Sequence, residues 1–278
     1  MKGIILSAGQ GRRLLPLTQD LPKCLLEIGG CTVLEWQLRM LAAAGLDRVV
    51  VVVGFGAAAV ERQVAEIRIP GLHVRTLFNP LYDRADNLLS CAMAAPEMDE
   101  DFLLLNGDTL ADPVVIARLL ASAEAPVAMA VAQKDAYDAD DMKVSCDGVK
   151  VRRVGKDLGP QETQGEAIGF SLYRGRGPAL FAEALAQMLS DPEATRRWYL
   201  SVVDILAGRG HVNLVNVGGA QYAEIDYAED LPWAQTVTAC LADCPKSEEP
   251  LPWASTDNAR PSEKSRAIRQ TVPAGSAP

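Results

Sequence analysis

The sequence is short of what most metal-binding, nucleic-acid-binding and membrane modules need. Its 278 residues hold only two histidines, His73 and His211, and six cysteines with no CxxC pair. A structural zinc site is therefore not expected. Neither a Ser-His-Asp set nor an HExxH pattern occurs, so both histidines read as surface or strand residues. The scattered cysteines fit reduced, mostly buried thiols and a cytoplasmic setting. Basic residues are outnumbered 27 to 36, giving a net charge of -9, which excludes a general basic footprint for nucleic acid. No stretch approaches the roughly 18 uninterrupted apolar residues of a membrane span. The opening run to Leu6 stops at Ser7-Ala8-Gly9 and an arginine pair, too soon for a signal's apolar region. No membrane insertion is expected, and nothing in the sequence speaks to oligomeric state.

What the chain does have is apolar periodicity. With 49% hydrophobic residues it can fill the core of one sizeable α/β domain. Gly3–Ser7, Val49–Val53, Val74–Phe78, Phe102–Leu105 and Pro126–Ala132 are short apolar runs of the buried-strand kind. Helical spacing separates them over Thr32–Ala44, Ala57–Ile67, Asn87–Ala95 and Pro113–Ser122. Such alternation predicts a mostly parallel sheet covered by helices on both faces. The later rhythm predicts a hairpin across Asp147-Gly148, a strand over Ala167–Tyr173 and helices over Pro178–Leu189 and Tyr199–Ala207. Strands over His211–Val217 and Tyr222–Asp226 and a helix over Ala228–Ala242 complete it. One catalytic domain over 1–244 is expected, followed by a disordered tail over 245–278 that carries six of the 17 prolines.

Three constellations carry chemistry. The first is Leu6-Ser7-Ala8-Gly9-Gln10-Gly11-Arg12-Arg13, with Leu21-Pro22-Lys23 following. Glycines directly after a first strand let backbone N–H groups close on a phosphate, and Arg13 and Lys23 add positive charge. The third glycine of a dinucleotide fingerprint is missing, as is a Walker pattern, so a plain glycine turn competes with this reading. The second is Leu105-Asn106-Gly107-Asp108, a carboxylate at the end of a buried strand, suited either to Mg²⁺ or to capping the next helix. Glu224 and Asp226 fall on the same face of a predicted strand and offer partner carboxylates. The third is Asn79-Pro80-Leu81-Tyr82 with Asp86-Asn87-Leu88-Leu89-Ser90, where Asn87 also reads as a helix cap. Lys143 and Lys156 are further cations, and Trp198 and Tyr199 read first as core aromatics.

The first constellation, extended through Leu25-Leu26-Glu27-Ile28-Gly29-Gly30 and Ala44-Gly45, closely resembles the signature of the nucleotidyltransferases that make nucleotide-activated sugars and alcohols. The resemblance resumes at intervals to about residue 235. Ser7 stands where many members have alanine. It implies a Rossmann-like α/β fold with a mostly parallel mixed sheet, and a nucleotide held by Leu6, Ala8, Gly9 and Gly11. Arg13 would grip the β- and γ-phosphates and Lys23 the reacting phosphates. Asp108 and Asp226 would hold Mg²⁺, with Glu224 in support. The Asn79, Asn87 and Ser90 pattern resembles the subgroup acting on phosphocholine and inositol phosphate, where Asn87 and Ser90 would line the nucleotide pocket. Lys156 and Glu166 would face the acceptor. The implied reaction condenses an NTP, CTP by preference, with a small phosphorylated alcohol and releases pyrophosphate. A uridylyl- or thymidylyltransferase making a nucleotide sugar is the alternative, and a nucleotide-binding regulatory module is the non-enzymatic one.

Overall fold

A computed structural model describes residues 1–242; the expected tail over 245–278 lies outside the described residues. The strands are β1 (Lys2–Ser7), β2 (Glu27–Ile28), β3 (Cys31–Thr32), β4 (Arg48–Val53), β5 (His73–Phe78), β6 (Phe102–Asn106) and β7 (Thr109–Ala111). They continue as β8 (Val127–Ala132), β9 (Lys143–Asp147), β10 (Lys150–Gly155), β11 (Gly165–Tyr173), β12 (Val212–Asn216) and β13 (Tyr222–Glu224). The helices are α1 (Val33–Ala43), α2 (Ala57–Glu66), α3 (Asn87–Ala94), α4 (Val114–Ala121), α5 (Gly177–Leu189), α6 (Leu200–Gly208) and α7 (Leu231–Ala242).

Nine strands form the main sheet in the order β5-β4-β1-β6-β11-β8-β12-β10-β9. The pairs β5–β4, β4–β1 and β1–β6 are parallel, whereas β11 runs antiparallel to both β6 and β8. The sheet is thus parallel in its first half and mixed in its second, as the sequence predicts.

Alternation within single strands divides the core. Ile4, Leu104 and Met129 point to one face, where they pack with α3, α5 and α6. Ile5, Leu103, Leu105 and Ala130 point to the other, against α1, α2 and α4. A side-chain period of two produces both layers from continuous apolar runs. Phe102 stacks on Tyr173 at 4.4 Å between ring centroids, and Phe181 packs edge-on to both.

A third apolar cluster lies apart from the sheet and decides where the chemistry sits. Leu14, Ile28, Trp36, Leu110, Ala223, Ile225 and Val237 pack together there. It joins the β2–β3 hairpin to α7 and to the short antiparallel pair β7–β13, where Glu224 stands opposite Thr109. Gly29 and Gly30 make the hairpin turn with φ of 61° and 87°, the doubly positive geometry of a two-residue hairpin turn. Of these four short strands only β13 falls within a predicted one; β2, β3 and β7, two or three residues each, carry no resolvable alternation.

Three expectations change. The predicted strand over Tyr222–Asp226 ends at Glu224. The N–H groups of Asp226 and Tyr227 both donate to Asp230 Oδ2 at 2.8 Å, which turns the chain into a 3₁₀ turn before α7 starts at Leu231. Asp86, not Asn87, occupies the N-cap of α3. Tyr199 is fully buried, as a core aromatic should be, but Trp198 keeps 38% of its surface exposed.

Candidate active site

The site forms where β1 and β6 end side by side. Gly107 N donates to Leu6 O at 2.9 Å. A Cβ on Gly107 would fall 2.0 Å from Ser7 Oγ, so this close strand-end approach requires glycine. The next residue, Asp108, projects at the strand end. Its carbonyl accepts from Ile225 N at 3.0 Å, which ties the segment carrying Glu224 and Asp226 to it. One carboxylate oxygen from each of Asp108, Glu224 and Asp226 lies within 4.8 Å of the others. Sequence spacing had Glu224 and Asp226 sharing a strand face. They converge instead because Glu224 ends β13 and Asp226 stands in the turn beyond it.

Lys23 reaches this carboxylate group from the other side. Its Nζ lies 2.8 Å from Asp108 Oδ2 and 2.7 Å from Asp226 Oδ1, with the side chain 13% exposed. Burial works against the charged lysine, but the two carboxylates outweigh it and push its pKa upward. For Asp226, burial raises the pKa, yet Lys23 and then Arg13 bring it below the ordinary aspartate value. Glu224 keeps a solvent-exposed edge. Burial of its carboxylate, followed by repulsion from Asp108 and Asp226, nonetheless pushes its pKa up to about 8. Three crowded carboxylates with hard oxygen donors fit a divalent cation such as Mg²⁺. A cation there would offset the repulsion that Asp108 and Asp226 exert on Glu224.

Arg13 sits at the rim. Its Nη1 lies 3.2 Å from Asp226 Oδ2 and its Nη2 3.5 Å from Asp140 Oδ2, and its guanidinium stands 5.4 Å from the Tyr227 ring centroid. Gly11 adopts φ 73°, and a Cβ there would sit 3.0 Å from the Lys23 side chain. The loop after β1 therefore backs directly onto the stem of Lys23. Gly9 has open space around it and lines the neighbouring cleft. Gly11→Ala should therefore strain the left-handed backbone and displace Lys23. We expect kcat/KM to fall by on the order of tenfold to a hundredfold, the scale of a misplaced reacting group. Steady-state kinetics beside a thermal melt checks this, and an unchanged rate would separate the loop from Lys23.

The cleft, of about 490 Å³, is lined by Leu6, Ala8, Gly9, Tyr82, Asn87, Ser90 and Trp198 among others. The predicted nucleotide residues other than Gly11 thus share one cavity. Ser90 is buried and receives Asn79 Nδ2 at 3.1 Å, while Asn79 Oδ1 accepts from Leu81 N. Asn87 Oδ1 accepts from Tyr199 N at 2.9 Å. An N–H donor fixes which end of that amide is the oxygen, so Asn87 Nδ2 is the end left to donate.

The predicted acceptor residues engage different partners. Lys156 Nζ stands 4.5 Å from the Trp198 ring centroid and 3.3 Å from Asp140 Oδ1. Glu166 is only 6% exposed, and its two oxygens are engaged by Lys134 and by the Tyr222 hydroxyl. Lys134 also pairs with Asp141 at 3.1 Å. Lys143 donates to the carbonyl of Lys156 at 2.9 Å, a structural role. Asp140, Lys134, Tyr222 and Tyr227 went unread in the sequence. The two tyrosines flank the Glu224–Asp226 segment, whereas long-range pairing brings Asp140 to Arg13 and Lys134 to Glu166.

The family model of MobA-like NTP transferase domains matches residues 3–206. The CMP-5'-(3-aminopropyl)phosphonate synthase of Streptomyces rubellomurinus is 28% identical over 232 residues, covering 81% of this chain and 37% of that protein. The bifunctional IPC transferase and DIPP synthase of Rubrobacter xylanophilus is 30% identical over 233 residues, covering 82% of this chain and 49% of that protein. The chain thus spans less than half the length of these curated relatives. Among solved structures, the inositol-1-phosphate CTP transferase from T. maritima superposes with a TM-score of 0.74 at 21% identity, covering 87% of this chain and 96% of that one. The CTP:phosphocholine cytidylyltransferase of Streptococcus pneumoniae gives a TM-score of 0.70 at 19% identity, covering 85% and 98%. These likenesses are of fold. Among the described residues, no helix is long and apolar enough to cross a membrane.

Proposed function

The chain belongs to the MobA-like NTP transferase family, and on that premise we propose that it is a Mg²⁺-dependent cytidylyltransferase. It would join CTP to a small phosphorylated alcohol, such as phosphocholine or inositol phosphate, and release pyrophosphate. The observation that carries this reading is the convergence of Lys23 and Arg13 on Asp108 and Asp226 at the strand ends, beside the cleft.

In this reading an acceptor phosphate oxygen attacks the α-phosphorus of the nucleotide, and the bond to the leaving pyrophosphate breaks in line. The attacking oxygen is already ionised at neutral pH, so no residue need remove a proton, which agrees with a site that contains no histidine. Catalysis then rests on positioning and charge neutralisation. Lys23 holds the reacting phosphates and Arg13 the β- and γ-phosphates. Asp108, Glu224 and Asp226 would hold Mg²⁺, which supplies Lewis-acid stabilisation of phosphoryl oxygens when bound. Leu6, Ala8, Gly9 and Gly11 form the nucleotide's floor, with Asn87 and Ser90 along the pocket wall. Lys156 is assigned the acceptor's phosphate and Glu166 the acceptor's far side. The relative named as a CMP-phosphonate synthase supports the cytidylyl part of this assignment.

CTP should be preferred over UTP. The bases differ at one edge, an amino donor on cytosine against a carbonyl acceptor on uracil. A wall of backbone carbonyls would pair with the first and oppose the second, which corresponds to about tenfold to a hundredfold discrimination. The Asn87 amide donates, and cytosine and uracil both present acceptors to it, so this residue binds without choosing. Competition between equal CTP and UTP with each acceptor tests the assignment. Dominant use of UTP or dTTP with a sugar 1-phosphate would replace it with nucleotide-sugar synthesis.

A further inference from the structure

Lys23 stands between the two carboxylates that the proposed function assigns to the metal. We infer that its ammonium and a divalent ion compete for the same oxygens, so that metal binding depends on a nucleotide phosphate drawing Lys23 away. The inference rests on the metal reading above.

Three observations meet here. Lys23 Nζ touches Asp108 Oδ2 and Asp226 Oδ1 at once, at 2.8 and 2.7 Å. The side chain is only 13% exposed, so solvent does not offer its ammonium an alternative seat. One carboxylate oxygen from each of the three residues lies within 4.8 Å of the others, so a divalent ion held by these residues would draw on the carboxylates that Lys23 already engages. An ammonium already at hydrogen-bond distance from both oxygens occupies the space such an ion would enter. Two cations sharing that pair of oxygens would stand nearly in contact, with little water between to screen them.

The same geometry supplies the release. The stem of Lys23 lies against Gly11, so a phosphate held by the loop after β1 arrives beside the ammonium. Transfer of Lys23 from carboxylate to phosphate exchanges one anionic partner for another and leaves Asp108 and Asp226 without their internal cation. Nucleotide and metal then favour each other's binding reciprocally, as linkage requires. Uncombined metal would find the seat filled, and the three carboxylates would retain charge compensation between turnovers.

Lys156 provides the control. It acts on Asp226 through space, but its ammonium contacts Asp140 and the Trp198 ring instead of the metal carboxylates. Removing it changes the field without opening the seat.

Mn²⁺ binding to the full chain, followed by electron paramagnetic resonance of the free ion, tests the inference. CMP serves as the probe nucleotide because it carries the phosphate Lys23 would follow and binds Mn²⁺ weakly on its own. The wild-type protein should bind Mn²⁺ weakly alone and at least about tenfold more tightly with saturating CMP, within the usual range of coupling between sites. Lys23→Met should bind Mn²⁺ about tenfold more tightly than wild type without CMP and gain little from adding it. Lys23→Arg should stay weak, and Lys156→Met should remain within about twofold of wild type, since a distant charge is largely screened. Adding Asp108→Asn to Lys23→Met should abolish the gain. Equal affinity of wild type with and without CMP would overturn the coupling even if Lys23→Met failed to fold. An equal gain in Lys156→Met would reduce it to a general field effect. Absence of Mn²⁺ binding in every protein, with or without CMP or CTP, would remove the metal reading and this inference with it.

Discussion

Asp108→Asn should leave the melting temperature within a degree or two of wild type while lowering turnover by on the order of a hundredfold to a thousandfold. The substitution keeps the side chain's volume and deletes one negative charge. The backbone bond from Ile225 N to the carbonyl of residue 108 is untouched, so the β7–β13 pair keeps its anchor. Lys23 keeps its contact with Asp226 at 2.7 Å and is not left as an unpaired buried charge, the circumstance that makes most broken ion pairs costly. What is lost, on the proposed function, is a charged ligand for Mg²⁺ at a strand end. Near-normal turnover in Mg²⁺ would show that the ion is held elsewhere.

Lys23→Ala should reduce turnover by a factor on the order of a hundred or more, the usual result of deleting a charge contact to a transition state. Its stability should also fall, because Asp108 and Asp226 lose the cation they share and only the Arg13 contact to Asp226 remains to offset their charge. Added Mg²⁺ should restore much of that stability without restoring rate, since the ion compensates the carboxylates but cannot take the lysine's place on the phosphates. Thermal melts with and without Mg²⁺, run beside single-turnover rates, separate the two effects. An unchanged rate would place Lys23 outside the reaction.

Much of this architecture was legible in the sequence. Val49–Val53 and Leu103–Leu105 are unbroken apolar runs of the kind a strand buried on both faces uses, and the helices between them carried clear spacing. Thr32, where the first predicted helix opens, caps α1 by accepting from Glu35 N. The loop from Gly9 to Lys23 was legible because its chemistry is local: glycine where the backbone turns left, cations where phosphate charge would lie. The second half of the site was less so. Whether Asp226 faces Asp108 depends on a three-residue pairing between β7 and β13, too short for any period, and on the bonds from Asp226 and Tyr227 to Asp230 that stop the strand early. Glu224 read as a support for Asp226, yet it joins Asp108 and Asp226 in one carboxylate group. The family resemblance pointed to Glu166 as an acceptor residue, but its engagement by Lys134 and Tyr222 was not legible. Those partners lie 32 and 56 residues away in sequence, and nothing in the local pattern of either names the other.

The account's central claim is that this constellation transfers a nucleotidyl group to a phosphorylated acceptor. A pyrophosphate-release screen of the four NTPs against phosphocholine, inositol phosphate, aminoethylphosphonate and hexose 1-phosphates tests it most directly, with Asp108→Asn run in parallel. The account predicts Mg²⁺-dependent pyrophosphate release with CTP and at least one phosphorylated alcohol or phosphonate, falling on the order of a hundredfold or more in the variant. Nucleotide binding without pyrophosphate release from any pair would contradict it and leave a regulatory nucleotide-binding module in its place.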